Sequence, residues 1–535
     1  MKRDAIRLSV AAAASWLVSF VLPFVALSRV VAAALALARG NESWRVQYLP
    51  DDGFYYLGLA KSFVATGTWS VDGGVSVTSG FHPLMAYSLV GLLALARPND
   101  TQLVSQAIAL SGVLALLGGG LLWLLARRLG GRLAAVYVVL LLASNNYTLN
   151  AVSFMDSSWV LLCSSALLLT WLSSERALAS AAERPLPKRA LALACLGFVG
   201  SLARTDFLLL PACLWLSVQT PAFYRRRWRG LSLAGSSGFF GALAGIAAVS
   251  VHARCTSGQW LQSSAVMKAH WAQVGGRNHM AALRLARELV GYPALGALGV
   301  LALGLLAARW LTPRPLEPPA ARAPLTGVYG GAAALVGYVA LYAQGPSTQP
   351  WYTSSLVVPL LCCAAALDAA LPSLQQHTWP RVAAFAAAAS LLVLASFKDY
   401  FVTSLPPPWP HQAALLQAGR VLAASHLPGR VAAFNSGIVG YYEGGHVINL
   451  DGLVNNDIYE YAKTNQLPKY LALKHIEHIV DFSRTLGEEQ RRIQGGYDDL
   501  GFLMSMSIEK VFGDKYPYWG QLTLYRTNLG RGVTR

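Results

Sequence analysis

Adjacent carboxylates at Asp51 and Asp52 come directly after the first long apolar segment of the chain. Because neighbouring acids repel each other, one of the two pKa values is expected to rise, and a raised pKa suits a carboxylate to proton transfer near neutral pH. A divalent cation such as Mg, Mn or Ca would relieve the same repulsion. The structural alternative is a helix cap or a solvated loop, since Pro50 and Asp51 are typical of a helix start.

Cationic side chains near the ends of other apolar segments are suited to binding a phosphate. They are Arg204, Lys268 and His270, with His82 as a further donor. Each has a structural alternative. Arg204 is close enough in sequence to pair with Asp206, and the other two would fit the polar face of a solvated amphipathic helix.

Asp156 is expected near the end of an apolar helix, where an ionisable group is costly and is therefore a functional candidate. The alternative is an N-cap for the helix that begins at Ser157. Trp351 and Tyr352 lie in a short loop, where they are suited either to stacking on a sugar or to the aromatic belt at the membrane surface.

The composition of the 535 residues is 54% hydrophobic and only 13% charged, which is more apolar surface than a soluble core of this length needs. Apolar stretches of about 17 to 25 residues recur and match the thickness of a bilayer. The sequence therefore predicts a mainly α, polytopic bundle of about eleven spans over residues 1–400. Their expected centres are near residues 24, 113, 140, 165, 194, 213, 241, 299, 334, 362 and 390.

Net charge of +17 would suggest a nucleic acid partner in a soluble protein, but the basic residues collect in short loops between the spans. Placing the N-terminus in the cytoplasm puts these loops inside. The first apolar segment, which runs to about Ala38, is too long for a signal peptide and is expected to be a retained anchor. Residues 40–100 then form the first external loop, and no nucleic acid partner is expected.

Residues 401–535 change to mixed polar and apolar character after a proline-rich exit at 406–410. Short strands are predicted at Arg430–Phe434 and His446–Leu450, and helical spacing extends from Asp457 to His475. A small extracytoplasmic α/β domain is therefore expected after the last span. The six cysteines form no CxxC pair and predict neither a disulfide framework nor a metal site.

Residues 51–56 read Asp-Asp-Gly-Phe-Tyr-Tyr, and residues 78–84 read Thr-Ser-Gly-Phe-His-Pro-Leu. This order resembles the first extracytoplasmic loop of the GT-C glycosyltransferases, in particular bacterial members with Thr-Asn-Gly-Phe-His-Pro-Leu, although Ser79 replaces the Asn. The lipid A aminoarabinose transferases, protein O-mannosyltransferases and mycobacterial terminal arabinofuranosyltransferases are more distantly similar. Further matching segments at 154–156, 202–206, 437–442 and 449–455 extend the resemblance over most of the chain.

The resemblance implies a membrane fold with a lateral lipid groove, located in the cell (inner) membrane. In it, a sugar on a polyprenyl-phosphate donor meets a cell-envelope acceptor, which is a glycan, a lipid or a protein. Transfer is expected on the extracytoplasmic side, with inversion at the anomeric carbon.

The resemblance also implies roles for the candidate residues. One of Asp51 and Asp52 would be the general base, with Asp51 favoured, and the other would orient the acceptor or hold a cation. The expected phosphate ligands are the four cationic and imidazole side chains, and the expected substrate contacts are Asp156, Tyr55, Tyr56, Trp351, Tyr352 and Asp451. Asn449 and Asn455 are further acceptor candidates in the tail, or they satisfy backbone groups of turns.

Two other classes of protein remain alternatives. A multi-pass transporter or flippase of lipid-linked sugars would also have many spans, although such carriers commonly have repeated halves with broken helices, and the sequence has no internal repeat. The second alternative is an enzyme that moves another group, such as phosphoethanolamine, from a membrane lipid. Such an enzyme would need a Thr or Ser nucleophile and a zinc cluster of His and Asp, which the sequence does not indicate.

Overall fold

The structure is a computed structural model and describes residues 22–129, 132–179, 186–222, 229–274, 319–345, 348–374, 407–486 and 506–527. Two parts follow each other along the chain. A helical bundle extends to residue 374, and a smaller part with a mixed sheet begins at residue 407. Helices dominate the first part because an apolar segment in a bilayer must satisfy its own backbone N–H and C=O groups, which a helix does within one segment.

The helices of the bundle differ widely in length, from five residues to thirty. In chain order they are α1 (Leu22–Arg39), α2 (Glu42–Val46), α3 (Asp51–Thr66), α4 (Pro83–Ala96), α5 (Asp100–Leu129), α6 (Arg132–Ala143), α7 (Asn145–Val152), α8 (Ser157–Ala179), α9 (Leu186–Ala203), α10 (Leu209–Ala222), α11 (Arg229–Ser257), α12 (Ser263–Val274), α13 (Pro319–Tyr342) and α14 (Ser354–Leu374). Short 3-10 turns at Thr205–Leu208 and Pro350–Thr353 precede α10 and α14.

Three of the described helices are long and apolar enough to cross a membrane, by length and composition: Asp100–Leu129, Ser157–Glu175 and Gly235–Ser257. Shorter apolar helices accompany them. Nine of the eleven predicted span centres fall within described helices, and the two at 299 and 390 lie outside the described residues. Large apolar side chains on the outer surface, including Val113, Leu117 and Phe240, are exposed, as expected for a bundle in lipid.

Helix α3 carries the two acids in its first turn. Pro50 precedes it in an extended conformation, and negative charge in a first turn is favourable beside the free backbone N–H groups. Gly67 ends the helix with a φ of 72°, a left-handed conformation that glycine adopts readily. The helix-start alternative is therefore correct for these acids, and it is compatible with a further role for either side chain.

The described residues of the tail, 407–486 and 506–527, form five strands and four helices: α15 (Gln412–Ala424), β1 (Arg430–Ala433), α16 (Gly437–Glu443), β2 (Ile448–Asn449), α17 (Tyr459–Lys463), α18 (Leu467–Leu473), β3 (Ile476–Phe482), β4 (Ser507–Tyr516) and β5 (Gly520–Arg526). The strand order is β2-β1-β3-β5-β4, with parallel pairing around β1 and antiparallel pairing of β5 with both neighbours. The predicted α/β character is confirmed. The helical stretch predicted from Asp457 divides into two helices around Asn465, whose φ is 54°.

One apolar core joins the first loop to the tail. Phe54 and Leu57 of α3 pack in the same buried cluster as Leu416 of α15, Ile438 of α16 and Val480 of β3. Buried side chains in a close-packed core fix the position of the helices and strands that carry them. The tail therefore has a defined position against the loop that carries Asp51 and Asp52.

Candidate active site

A cavity of about 220 Å³ lies where the first loop, four other connecting segments and the tail meet. These are the segments that the positive-inside pattern places on the extracytoplasmic side. The cavity wall includes Asp52, Tyr55, Tyr56, Leu59, Gly80, Phe81, His82, Met155, Asp156, Arg204, Thr205, Asp206, Gln262, Ser264, Ala265, Lys268, Leu341, Tyr342, Trp351, Tyr352, Leu453 and Val454. A concave site lined by apolar groups with a few charged ones is the usual form of a small-molecule site.

The two adjacent acids have different surroundings. Asp52 lines the cavity, and the described residues form no hydrogen bond to its carboxylate. Asp51 instead accepts hydrogen bonds from the backbone N–H groups of Gly437 (3.1 Å) and Ile438 (2.7 Å) at the start of α16. Asp51 thus holds the tail, whereas Asp52 remains available to a substrate.

Burial raises the pKa values of both acids. The pKa of Asp51 rises to about 7, mainly because it is removed from water and partly because Asp52 is beside it, although the two backbone hydrogen bonds oppose the rise. For Asp52 burial is again the largest cause, opposed by the charge of Lys268 and assisted by that of Asp156. The predicted effect of the adjacent acids is therefore present, with burial as the larger contribution.

Lys268, on α12, is the cavity cation without a carboxylate partner within 4 Å in the described structure. Its ammonium donates to the hydroxyl of Tyr352 at 2.7 Å. Burial lowers the pKa of Lys268, but the Tyr352 hydroxyl and the Asp52 charge outweigh it, and the net direction is upward. Lys268 is therefore charged at neutral pH and is available to an anion.

Arg204 is enclosed by acids and an aromatic ring. It donates to both oxygens of Asp206 and, at 3.0 Å, to Oδ2 of Asp156, while its guanidinium lies 4.5 Å from the ring centre of Tyr352. Tyr342 donates to Asp206 at 2.7 Å. The expected pairing with Asp206 is thus present, and two carboxylates balance the charge of the guanidinium.

His82 and Asp156 face each other across the cavity wall, with 3.9 Å between His82 Nε2 and Asp156 Oδ2. Burial, together with the charge of Arg204, lowers the pKa of His82 to about 4 even though Asp156 opposes this change. The imidazole is therefore neutral at neutral pH. Asp156 occupies the N-cap position of α8, because its backbone carbonyl accepts from Val160 N at 3.1 Å. Its carboxylate, however, is bonded to Arg204, and within the described residues it accepts no hydrogen bond from the first turn of that helix.

The aromatic candidates lie inside the protein rather than on a membrane-facing surface. Trp351 is 6% exposed and packs edge-on to Tyr352. The hydroxyl of Tyr56 accepts a hydrogen bond from the backbone N–H of His82, and that of Tyr55 accepts one from Ser436 in the tail. These positions differ from those of an interface belt and put the rings in the cavity wall.

Several predicted residues do not reach the cavity. His270 projects from α12 toward the tail, where it contacts the edge of Tyr459. Asp451 accepts a hydrogen bond from Leu453 N, and burial raises its pKa well above the ordinary value. Asn449 accepts from Gly452 N and donates to Ser436 Oγ in the tail, and its amide also donates to the Tyr55 hydroxyl of α3 at 3.3 Å. Asn455 bonds within the tail, where it donates to the Asn449 carbonyl and to Tyr470. Their positions favour the turn-forming alternative.

Sequence reasoning missed the polar residues that fasten the loop motif. Asn456 accepts from Ser79 N at 2.8 Å and donates to Ser79 Oγ and to Gln259. Gln262 donates to the carbonyl of Phe81. The substitution of Ser79 for the Asn of similar proteins was a usable signal, because it marks a position that needs a polar partner.

The described residues do not fit a resident divalent cation. They contain no group of three or more His, Cys, Asp and Glu side chains arranged to hold a metal ion. Both oxygens of Asp51 already accept backbone hydrogen bonds, so each has one lone pair left for another partner. Of the predicted pair, Asp52 is the acid that lines the cavity.

Comparison with solved structures gives the class of fold. ArnT from Cupriavidus metallidurans bound to undecaprenyl phosphate matches with a TM-score of 0.52 and 14% identity, over 93% of this chain and 97% of that one. AglB oligosaccharyltransferase from Archaeoglobus fulgidus, in complex with an inhibitory peptide and a dolichol-phosphate, matches with a TM-score of 0.55 and 12% identity. The match covers 97% of this chain and 76% of AglB. The chain thus has the fold of the GT-C membrane glycosyltransferases, as the sequence motifs predicted.

Other comparisons add less. A family model described as a domain of unknown function (DUF8728) matches residues 409–528, which is the tail. No curated protein matches the sequence significantly. The Archaeoglobus fulgidus oligosaccharyltransferase complex with Zn and sulfate also matches, with a TM-score of 0.50, 12% identity and coverage of 91% of this chain and 72% of that one.

Proposed function

We propose that this chain is a membrane glycosyltransferase that moves a sugar from a polyprenyl-phosphate donor to an extracytoplasmic acceptor of the cell envelope. The observation that carries the proposal is the presence of one available carboxylate, Asp52, and one available ammonium, Lys268, in the same cavity. Their charges act on each other, because each contributes to the pKa shift of the other. The fold likeness to two lipid-dependent glycosyltransferases supports the same reading.

Sugar transfer from a lipid phosphate requires a base and a group that meets the charge of the leaving phosphate. Asp52 accepts the proton of the acceptor hydroxyl as its oxygen forms a bond to the anomeric carbon. The bond from that carbon to the phosphate oxygen breaks, and its electron pair leaves with the polyprenyl phosphate. Attack from the face opposite the phosphate inverts the anomeric carbon.

Asp52 is proposed as the base in place of Asp51, which the sequence favoured. Asp51 lies outside the cavity wall, and both of its oxygens accept backbone hydrogen bonds from α16. Asp52 keeps its carboxylate toward the cavity, and its raised pKa strengthens it as a proton acceptor.

Lys268 is proposed to bind the phosphate, with Tyr352 as its positioning residue. The Tyr352 hydroxyl fixes the ammonium at 2.7 Å, and its ring also covers Arg204. Arg204 is assigned to positioning, since Asp156 and Asp206 already balance its charge. His270 is given no phosphate role because it lies away from the cavity.

Transfer and transport are separated by following the donor. The full-length protein in liposomes is offered labelled undecaprenyl-phosphate mannose, glucose, galactose and arabinose with an extract of cell-envelope glycans, lipids and proteins. The proposal predicts labelled acceptor together with free undecaprenyl phosphate. Movement of an intact donor across the bilayer without any labelled acceptor would instead identify a flippase.

A further inference from the structure

Asp156 carries a buried acceptor atom that the proposed mechanism does not use. The residue is 1% exposed and lines the cavity. Oδ2 is bound by Arg204, but Oδ1 accepts no hydrogen bond from any described residue. A buried carboxylate oxygen without a donor is costly to the folded protein, so a ligand that supplies the donor is stabilised there.

His82 presents a second incomplete group beside it. Its Nδ1 atom is buried and has no hydrogen-bond partner within the described part of the chain. The ring is neutral at pH 7, because burial holds its pKa near 4. A neutral imidazole offers one donor and one acceptor, which is the pair of functions that a hydroxyl group complements.

The turn that carries Asp156 is fixed against α3. Phe154 has a φ of 41°, an uncommon conformation for an aromatic residue, and its ring packs edge-on to Phe54 at 5.6 Å. A Cβ on Gly53 would lie only 2.6 Å from the Phe154 ring. Because Gly53 follows Asp52 directly, this contact sets the position of Asp156 relative to the proposed base.

We infer that Asp156 and His82 form the subsite for the donor sugar, in which Asp156 Oδ1 accepts a hydrogen bond from one sugar hydroxyl and His82 contacts the same or the adjacent one. The inference rests on the proposed function. It also names the group that the subsite recognises, a sugar hydroxyl that donates to Asp156 Oδ1.

The test compares a donor with its monodeoxy analogues. From the undecaprenyl-phosphate mannose, glucose, galactose and arabinose series, the sugar that the wild-type protein transfers best is prepared with each hydroxyl removed in turn. With the wild-type protein, one analogue is expected to have a kcat/KM about tenfold or more below that of the parent donor. That analogue lacks the hydroxyl that pairs with Asp156 Oδ1, so the buried oxygen is left without a hydrogen bond.

Asp156→Ala removes the acceptor and is expected to bring the ratio between the parent donor and that analogue close to one. Asp206→Asn is the matched control, because it removes a partner of Arg204 but leaves Asp156 Oδ1 in place, and it should keep the wild-type ratio. If folded Asp156→Ala keeps the wild-type ratio between the parent donor and the deoxy analogue, the subsite is overturned and the proposed function is not affected. Failure of the wild-type protein to transfer any of the parent sugars would overturn the proposed function instead.

Discussion

Asp51 and Ile438 are 387 positions apart in sequence, and the backbone N–H of Ile438 donates to the Asp51 carboxylate at 2.7 Å. This contact joins the first loop to the tail at the position next to the proposed base. The tail therefore does more than cover the cavity. It fixes one acid of the pair and leaves the other facing the substrate site.

Gly80 tests how closely the tail must approach the loop. A Cβ at this position would overlap the carbonyl oxygen of Leu453 and crowd Ser263 Oγ, and backbone cannot move aside as a side-chain end does. We expect Gly80→Ala to displace the tail segment that lines the cavity, and to lower both the melting temperature and sugar transfer. Limited proteolysis between loop and tail measures the displacement.

Gly91 supplies the matched control, because a Cβ there meets nothing within 4 Å and the residue lies on α4. Gly91→Ala should leave transfer unchanged and slightly favour the helix, by about 0.5–1 kcal/mol. Equal behaviour of the two alanine variants would contradict a close tail contact at Gly80.

Asp51 should make folding stability depend on pH. Its folded-state pKa of about 7 is above the ordinary value of 3.8, so the folded protein binds the proton more tightly than the unfolded chain. The stabilisation is complete below about 3.8 and is lost as the pH rises to about 7. Thermal unfolding from pH 5 to pH 8 should show this decline in wild type and a smaller one in Asp51→Asn, whereas identical slopes would refute the assignment.

Lys268 should contribute mainly to the transition state, because the leaving phosphate gains charge as its bond breaks. We expect Lys268→Gln to lower kcat by about 10²- to 10³-fold, a magnitude typical of removing one such donor. Tyr352→Phe, which removes only the hydroxyl that holds the ammonium, should have a smaller effect. Steady-state transfer from the preferred donor provides both values.

His270 is two positions along the same helix and faces the tail, so His270→Gln controls for damage to α12. It should retain near-wild-type transfer and weaken only the tail contact with Tyr459. A loss equal to that of Lys268→Gln would mean that the helix, rather than the ammonium, is what the reaction needs.

The sequence motifs predicted the class of fold, and nine of the 22 residues of the cavity wall were among the predicted site residues. Charge bias in the loops grouped Asp52, Asp156, Arg204 and Lys268 on one side of the membrane, and the structure brings them into one cavity. The grouping could be predicted because hydropathy and loop charge are local properties that are read directly along the sequence.

The orientation of individual side chains could not be predicted from the sequence. Which of Asp51 and Asp52 faces the cavity depends on the docking of α16, and that contact is far away along the chain. Lys268 and His270 are two residues apart on α12, so a helix points them in different directions. Only their contacts, with Tyr352 for Lys268 and with Tyr459 for His270, show which of the two faces the cavity.

The most direct test of the account compares sugar transfer by Asp52→Asn and Asp51→Asn, both shown to be folded by thermal unfolding. Asp52→Asn should lose about 10²- to 10⁴-fold in kcat, as expected when a general base is removed, while Asp51→Asn should retain most of its turnover and show altered stability. The opposite result, with full transfer by Asp52→Asn and none by Asp51→Asn, would contradict the assignment of Asp52 as the base.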